Sequence, residues 1–128
     1  MCLSRRLFAL LILAGICIVA EPVRADLPPI ENVEIRERAF YVNGKPFFPL
    51  MVWLQDVENF PLAGECGMNT VAGYHGKATG ADNVVTYLQK ARDAGLYGVM
   101  PFDESLTGRP ALIGYIHGDE PDLPHEES

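Results

Sequence analysis

The sequence predicts an α/β fold: an N-terminal β-hairpin leading into a parallel sheet of about four strands. Three observations carry this reading. First, Asn43-Gly44 stands between the apolar runs Phe40–Val42 and Lys45–Phe48. A type I′ turn needs positive φ at both central residues, and Asn-Gly supplies it at low steric cost. Second, Cys66-Gly67-Met68-Asn69-Thr70-Val71 and Ala94-Gly95-Leu96-Tyr97-Gly98-Val99 repeat one pattern. In each, a glycine follows a helical segment, a large apolar residue follows the glycine, and a short β-rich run follows that. A helix C-terminus feeding a strand has this chemistry, with Gly in the left-handed C′ position. The spacing from Gly67 to Gly95 is close to the ~30 residues of one β-α unit. Third, Ala111–Ile116 is a nearly continuous apolar run, as expected of a parallel strand buried on both faces.

The chain of 128 residues begins with two cations, Arg5 and Arg6, followed by the uncharged apolar stretch Leu7–Ala20. That stretch is short for a bilayer-spanning helix, which needs about 20 residues, and suits the central region of a secretory signal peptide. Glu21, Pro22 and Arg24 break it, and Val23-Arg24-Ala25 predicts cleavage after Ala25. Residues 1–25 are therefore expected to be a signal peptide, and the protein to be exported, periplasmic or extracellular, with no stable membrane anchor. An uncleaved anchor is the rival reading. Residues 26–32 (DLPPIEN) read as a linker, and 33–128 as one small domain.

Within that domain the hairpin comes first, and Leu50–Trp53 reads as a separate buried strand. A short helix follows at about Phe60–Cys66, with Asn59 as a possible N-cap. Residues 70–73 form the next strand. The second helix is better marked. Asp82 and Asn83 sit in its first turn, Val84, Leu88 and Ala91 recur at helical spacing with Tyr87 beside them, and Lys90 and Arg92 complement the dipole at its end. Strands at 97–100 and 112–116 complete the order. Alternating β and α implies a parallel sheet with right-handed crossovers. Residues 101–111 are short for a parallel connection, which usually takes about a dozen residues or more, and Asp103–Leu106 provide one helical turn at most.

Composition narrows the function classes. The formal net charge is −7, and removal of residues 1–25 takes away three arginines and one glutamate, leaving the remainder more acidic still. Such a surface repels phosphate backbones, so nucleic acid is not an expected partner. Cys66 is the one cysteine beyond residue 25, so no internal disulfide is expected; it reads as a small core residue. No zinc-ligand spacing is present, and no metal or other cofactor is expected. His117-Gly118-Asp119-Glu120 alone makes a poor metal site, since adjacent residues of one turn rarely converge on an ion.

The most informative stretch is Gly114-Tyr115-Ile116-His117-Gly118-Asp119-Glu120-Pro121, in which a buried strand delivers two carboxylates at its C-terminal end. Ligand sites of α/β sheets and barrels lie at such ends. Together with Phe40–Phe48 and the following Pro49–Trp53, with Gly67–Val71 and with Ala94-Gly95-Leu96, this stretch resembles the N-terminal half of the (β/α)8-barrel retaining glycoside hydrolases of the cellulase and β-galactosidase clan. The resemblance spans residues 39–121 and implies a hairpin followed by a partial, half TIM barrel of about four parallel strands. It implies a carbohydrate partner, an oligo- or polysaccharide, and maps Glu120 to the catalytic acid/base. A glycosidic oxygen leaves poorly until protonated, and a carboxylic acid of raised pKa can supply that proton. Trp53 is a candidate for stacking on a sugar ring, or else a barrel-core aromatic. Tyr74 and His75 are candidates for binding hydroxyls, with loop solvation as the alternative, as it is for Asp103 and Glu104. His117 is placed to orient Glu120 or to fill space beneath it. Asp119 stands where the commonest family pattern has Asn beside the reacting sugar. The family's nucleophilic Glu comes from the seventh strand, and a barrel needs roughly 200 residues or more. The chain therefore reads as a truncated half-barrel, inactive alone, with non-catalytic sugar binding and self-association through open barrel edges as alternatives.

Overall fold

The structure is a computed structural model that describes residues 27–117. The expected signal peptide and the candidates Asp119 and Glu120 lie outside the described residues. A three-stranded antiparallel sheet comes first, built from β1 (Val33–Arg36), β2 (Ala39–Val42) and β3 (Lys45–Phe47) in that order. The Asn43-Gly44 turn joins β2 to β3 with φ of 51° and 74°, the left-handed pair that the two residue types predict. Asn43 has a second role. Its side-chain oxygen accepts from the backbone N–H of Glu31 and Asn32, and its amide donates to the carbonyl of Pro29.

The first strand is a feature the sequence reading lacks. β1 pairs with β2 through a two-residue turn at Glu37-Arg38, with φ of 49° and 70°. Neither residue type favours positive φ, so this turn carries no local signal. Residues 27–32, read above as a linker, form a strap along the domain. Ile30 donates its N–H to Pro110, and Pro28 accepts from the Tyr97 hydroxyl at 2.9 Å.

The second sheet holds β4 (Met51–Trp53), β5 (Thr70–Ala72), β6 (Tyr97–Pro101) and β7 (Leu112–Ile116) in sequential order, every pair parallel. This is an α/β arrangement, and the strands fall where the sequence places them to within a residue or two. Helices α1 (Phe60–Glu65) and α2 (Val84–Asp93) supply the first two crossovers. Both end in the predicted way. Gly67 and Gly95 have φ of 83° and 78°. Met68 and Leu96 donate back to Ala63 and Ala91, and the glycines donate to Gly64 and Arg92. These are Schellman motifs, and they turn Leu96 into the fully buried core.

Several local expectations are corrected. Leu50–Trp53 is not a buried strand, since Leu50, Met51 and Trp53 are each about half exposed at the edge of the sheet, and Ala111–Ile116 is not buried on both faces, since Tyr115 is exposed. Asn59 does not cap α1. A 3-10 turn at Val57–Asn59 runs straight into the helix, Asn59 has helical φ and ψ, and its side chain makes no capping bond. Cys66 is exposed rather than buried: it ends α1 on the side away from the core, which Ala63 and Met68 reach instead. Asn83 does cap α2, accepting from the Thr86 N–H at 2.8 Å.

The connection from β6 to β7 needs no α-helix. A single 3-10 turn at Glu104–Leu106 buries Leu106 completely. Leu106 and Ala111 join Leu88 of α2 in one buried cluster, and Pro110 lines a small cavity beside Val85. Register slips by one residue at Gly98/Val99, so β7 carries a bulge opposite them.

Strand register assigns the faces. Val52, Val71 and Gly98 lie side by side and turn towards the helices, where a β-carbon on Gly98 would meet Leu88 of α2 at 2.4 Å. Phe60 of α1 meets Tyr87 of α2 edge-on, ring centroids 5.1 Å apart, so both helices occupy this one face. The opposite face is covered near the N-terminal ends of its strands by the antiparallel sheet, through Phe47 against Tyr97 at 5.5 Å. Asn69 fixes this junction. Its side chain accepts from the N–H of Leu50 and donates to the carbonyl of Phe48.

Tyr87 is the largest fully buried side chain, and its hydroxyl donates to the Gln55 carbonyl at 2.7 Å. Burial, and secondarily the charge of Asp56, raise its pKa above the ordinary value of 10.0. Burial raises that of Tyr97 in the same direction. Above pH 10 the unfolded chain ionises these phenols more readily than the folded protein does. The unfolded state then binds fewer protons, and stability falls as pH rises. In urea titrations between pH 9 and 11, Tyr87→Phe is expected to remove up to one proton's worth of that slope, about 1.4 kcal/mol per pH unit. An unchanged slope would show that Tyr87 ionises freely in the folded state.

Candidate functional site

In a parallel sheet all strands deliver their C-terminal ends to one side, and loops there gather side chains from separate parts of the chain. Here the antiparallel sheet occupies the opposite side. The residues just at or beyond the four strand ends are Trp53, Gly73-Tyr74-His75, Phe102 and His117. Register places Trp53 beside Ala72 and Pro101 beside Ile116, so Phe102 and His117 leave adjacent strands together.

Trp53 is half exposed, at 49%, at the end of the edge strand β4. Its indole lies over the backbone of Gly73, which has φ of 81°. A β-carbon there would sit 3.4 Å from the Trp53 ring and 2.7 Å from Leu54, so the glycine both permits the turn and seats the indole. The Trp53 carbonyl accepts from the Gln55 side chain at 3.0 Å. A half-exposed indole leaves apolar surface open to a flat ligand.

Tyr74 turns the other way. Its hydroxyl donates to the Ala81 carbonyl at 3.2 Å and its ring rests on Tyr87 at 5.2 Å. It forms part of a groove of about 730 Å³ on the helix side, with Asn83, Thr86, Phe102, Asp103 and Ser105 around it. Ser105 donates to the Asp103 carboxylate through its hydroxyl at 2.5 Å and its N–H at 2.8 Å. The hydroxyl bond first, then the backbone bond, holds Asp103 below the usual carboxylate range. Asp103 is thus an anionic hydrogen-bond acceptor and not a proton donor. His75 and His117 are exposed at their strand ends, and neither lines this groove.

The structure therefore brings Tyr74 together with Asp103, and sets Trp53 apart on the other face of the sheet. Glu104 is exposed in the 3-10 turn. Phe102 is a residue the sequence reading passed over. It is 70% exposed and meets Tyr115 edge-on at 5.1 Å. The signal for it was available: an aromatic immediately past a strand that closes on proline, Pro101.

Among the described residues no group of three His, Cys, Asp or Glu side chains converges as a metal site, and no helix is long and apolar enough to cross a membrane. What the described strand ends offer is aromatic surface and hydroxyl-directed hydrogen bonding. Comparison with protein-family models, curated proteins and solved structures finds no match to this chain.

Proposed function

We propose that this chain is an exported half-barrel of the glycoside-hydrolase kind, which binds an oligo- or polysaccharide at the C-terminal ends of its parallel strands and is inactive in hydrolysis by itself. The observation that carries the reading is the combination of strand order and helix placement. The four parallel strands are neighbours in sequence order, and both helices lie on one face. A doubly wound sheet reverses its order at a switch point and carries helices on both faces. A (β/α) barrel does neither, and keeps all its helices outside. The antiparallel sheet at the N-terminal ends supports the same reading, since it leaves the opposite ends to the ligand.

On this account Trp53 stacks on a sugar ring, His75 and His117 bind hydroxyls, and Asp119 contacts the sugar beside the reacting carbon. Tyr74 contributes from the neighbouring groove with its remaining lone pairs. Glu120, two residues beyond Gly118, carries the acid/base chemistry: it protonates the glycosidic oxygen and afterwards activates water. A retaining reaction also needs a nucleophilic carboxylate about 5–5.5 Å from it. The resemblance assigns that group to a seventh strand, and residues 33–117 supply four parallel strands in all.

The chain alone is accordingly expected to release no product from aryl glycosides. Turnover that disappears in Glu120→Gln would contradict the claim of inactivity and make this chain a complete enzyme. Turnover that survives Glu120→Gln would remove Glu120 from the chemistry.

A further inference from the structure

The parallel sheet is unfinished in two respects. Parallel sheets are normally covered on both faces, yet the face opposite the helices is covered at one end only. Along β4 it exposes Met51 at 51% and Trp53 at 49%, with Leu50 at 45% leading in. Across the sheet, Val99, Gly114 and Ile116 on the same face are only partly buried. Among the described residues the sheet also ends in two unpaired edges, β4 and β7. Such edges are templates for further pairing.

The two edges are complementary. All four strands run the same way, so a two-fold axis parallel to the strands sets β7 of one copy beside β4 of the next in parallel sense. The same operation sets β7 of the second copy beside β4 of the first. Each edge is used once, and the assembly closes as a symmetric dimer rather than growing into a filament. It has eight strands, the number at which a barrel interior is just filled by side chains. The small residues Ala72 and Gly114 alternate on the inner face with the larger Met51, Trp53, Val99 and Ile116. Such a mixture lets facing layers interdigitate. We propose that the occupant of this face and of both edges is a second copy of this chain. The proposal stands on the sheet alone and is independent of any sugar chemistry.

The test is sedimentation velocity of the full chain at micromolar concentration, with two variants compared. The wild type is expected to sediment at twice the chain mass. Met51→Lys, on the β4 edge and already half exposed, is expected to sediment at the mass of one chain with unchanged far-ultraviolet circular dichroism. Leu62→Lys is the control. Leu62 is 60% exposed on α1, on the helix side, and its replacement is expected to leave the dimer intact. A monomeric wild type would overturn the proposal. So would association that survives Met51→Lys, which would belong to another surface such as the apolar stretch Leu7–Ala20. Equal loss of the dimer in both variants would also overturn it. Sugar binding by a monomeric chain would refute the dimer while leaving the functional reading in place.

Discussion

Replacing Tyr87 by alanine is expected to remove about 3–5 kcal/mol of stability, the range for truncating a large buried aromatic. Three contributions add at this position. The ring is fully buried between Phe60 and Tyr74, with centroids 5.1 and 5.2 Å away, so truncation leaves a cavity bordered by both. The partly buried Gln55 carbonyl loses its 2.7 Å donor, a loss of about 1 kcal/mol for a typical hydrogen bond. Tyr87 also joins α2 to the chain just beyond β4, 32 positions away in sequence, so its loss frees one crossover from another. Small domains carry about 5–15 kcal/mol in all, and Tyr87→Ala should consume much of that. Urea denaturation followed by circular dichroism measures it. A loss below about 1 kcal/mol would mean that the Phe60–Tyr74 cluster is not a core. Tyr87→Phe keeps the packing and should lose only the hydrogen-bond share.

Gly98→Val is expected to cost about 3 kcal/mol, at the upper end of the usual range for overpacking. Gly98 is buried on the helix face of β6. Even a bare β-carbon there would approach Leu88 Cδ1 to 2.4 Å and Met100 Cε to 2.7 Å. Both neighbours are nearly or fully buried, so their flexible ends have little room to retreat. Valine adds two further methyl groups, and α2 must then lift from the sheet. The mechanism predicts coupling. Leu88→Ala is destabilising alone by about 2–5 kcal/mol, yet the double variant should be more stable than the two losses together imply, because the space vacated by Leu88 receives the valine. Additive losses in a double-mutant cycle would show that the clash is relieved elsewhere.

Much of this architecture was legible where local chemistry and tertiary structure agree. Asn43-Gly44 names its own turn, and Gly67 and Gly95 name the helix ends because few other residues accept the left-handed C′ conformation. The spacing of Val84, Leu88 and Ala91 reports a face that the structure buries. Legibility failed where tertiary pairing overrides local preference. Glu37 and Arg38 take positive φ because β1 and β2 are held in register on either side, and nothing in a Glu-Arg pair announces this. Cys66 follows the exposed, charged Glu65 at the end of α1, and position alone does not decide burial there, because Ala94 at the equivalent place before Gly95 is buried. The short β6–β7 connection looked too short for a crossover because a helix was the expected cover, and Leu106 and Ala111 are buried in its place. For the candidate site, strand ends were predictable but orientations were not. Tyr74 and Trp53 follow adjacent strands, yet one faces the helices and the other faces away.

The proposed saccharide site at these strand ends is built on Trp53. Trp53 is the sole tryptophan, so tryptophan emission comes from this one position. The most direct measurement is a fluorescence titration of the chain with soluble oligosaccharides of differing linkage. A saturable change in Trp53 emission is expected with at least one of them. Calorimetry should then find affinity about tenfold weaker in Trp53→Ala, the loss expected for one aromatic contact. Emission that stays unchanged across the whole set of glycans would contradict the account.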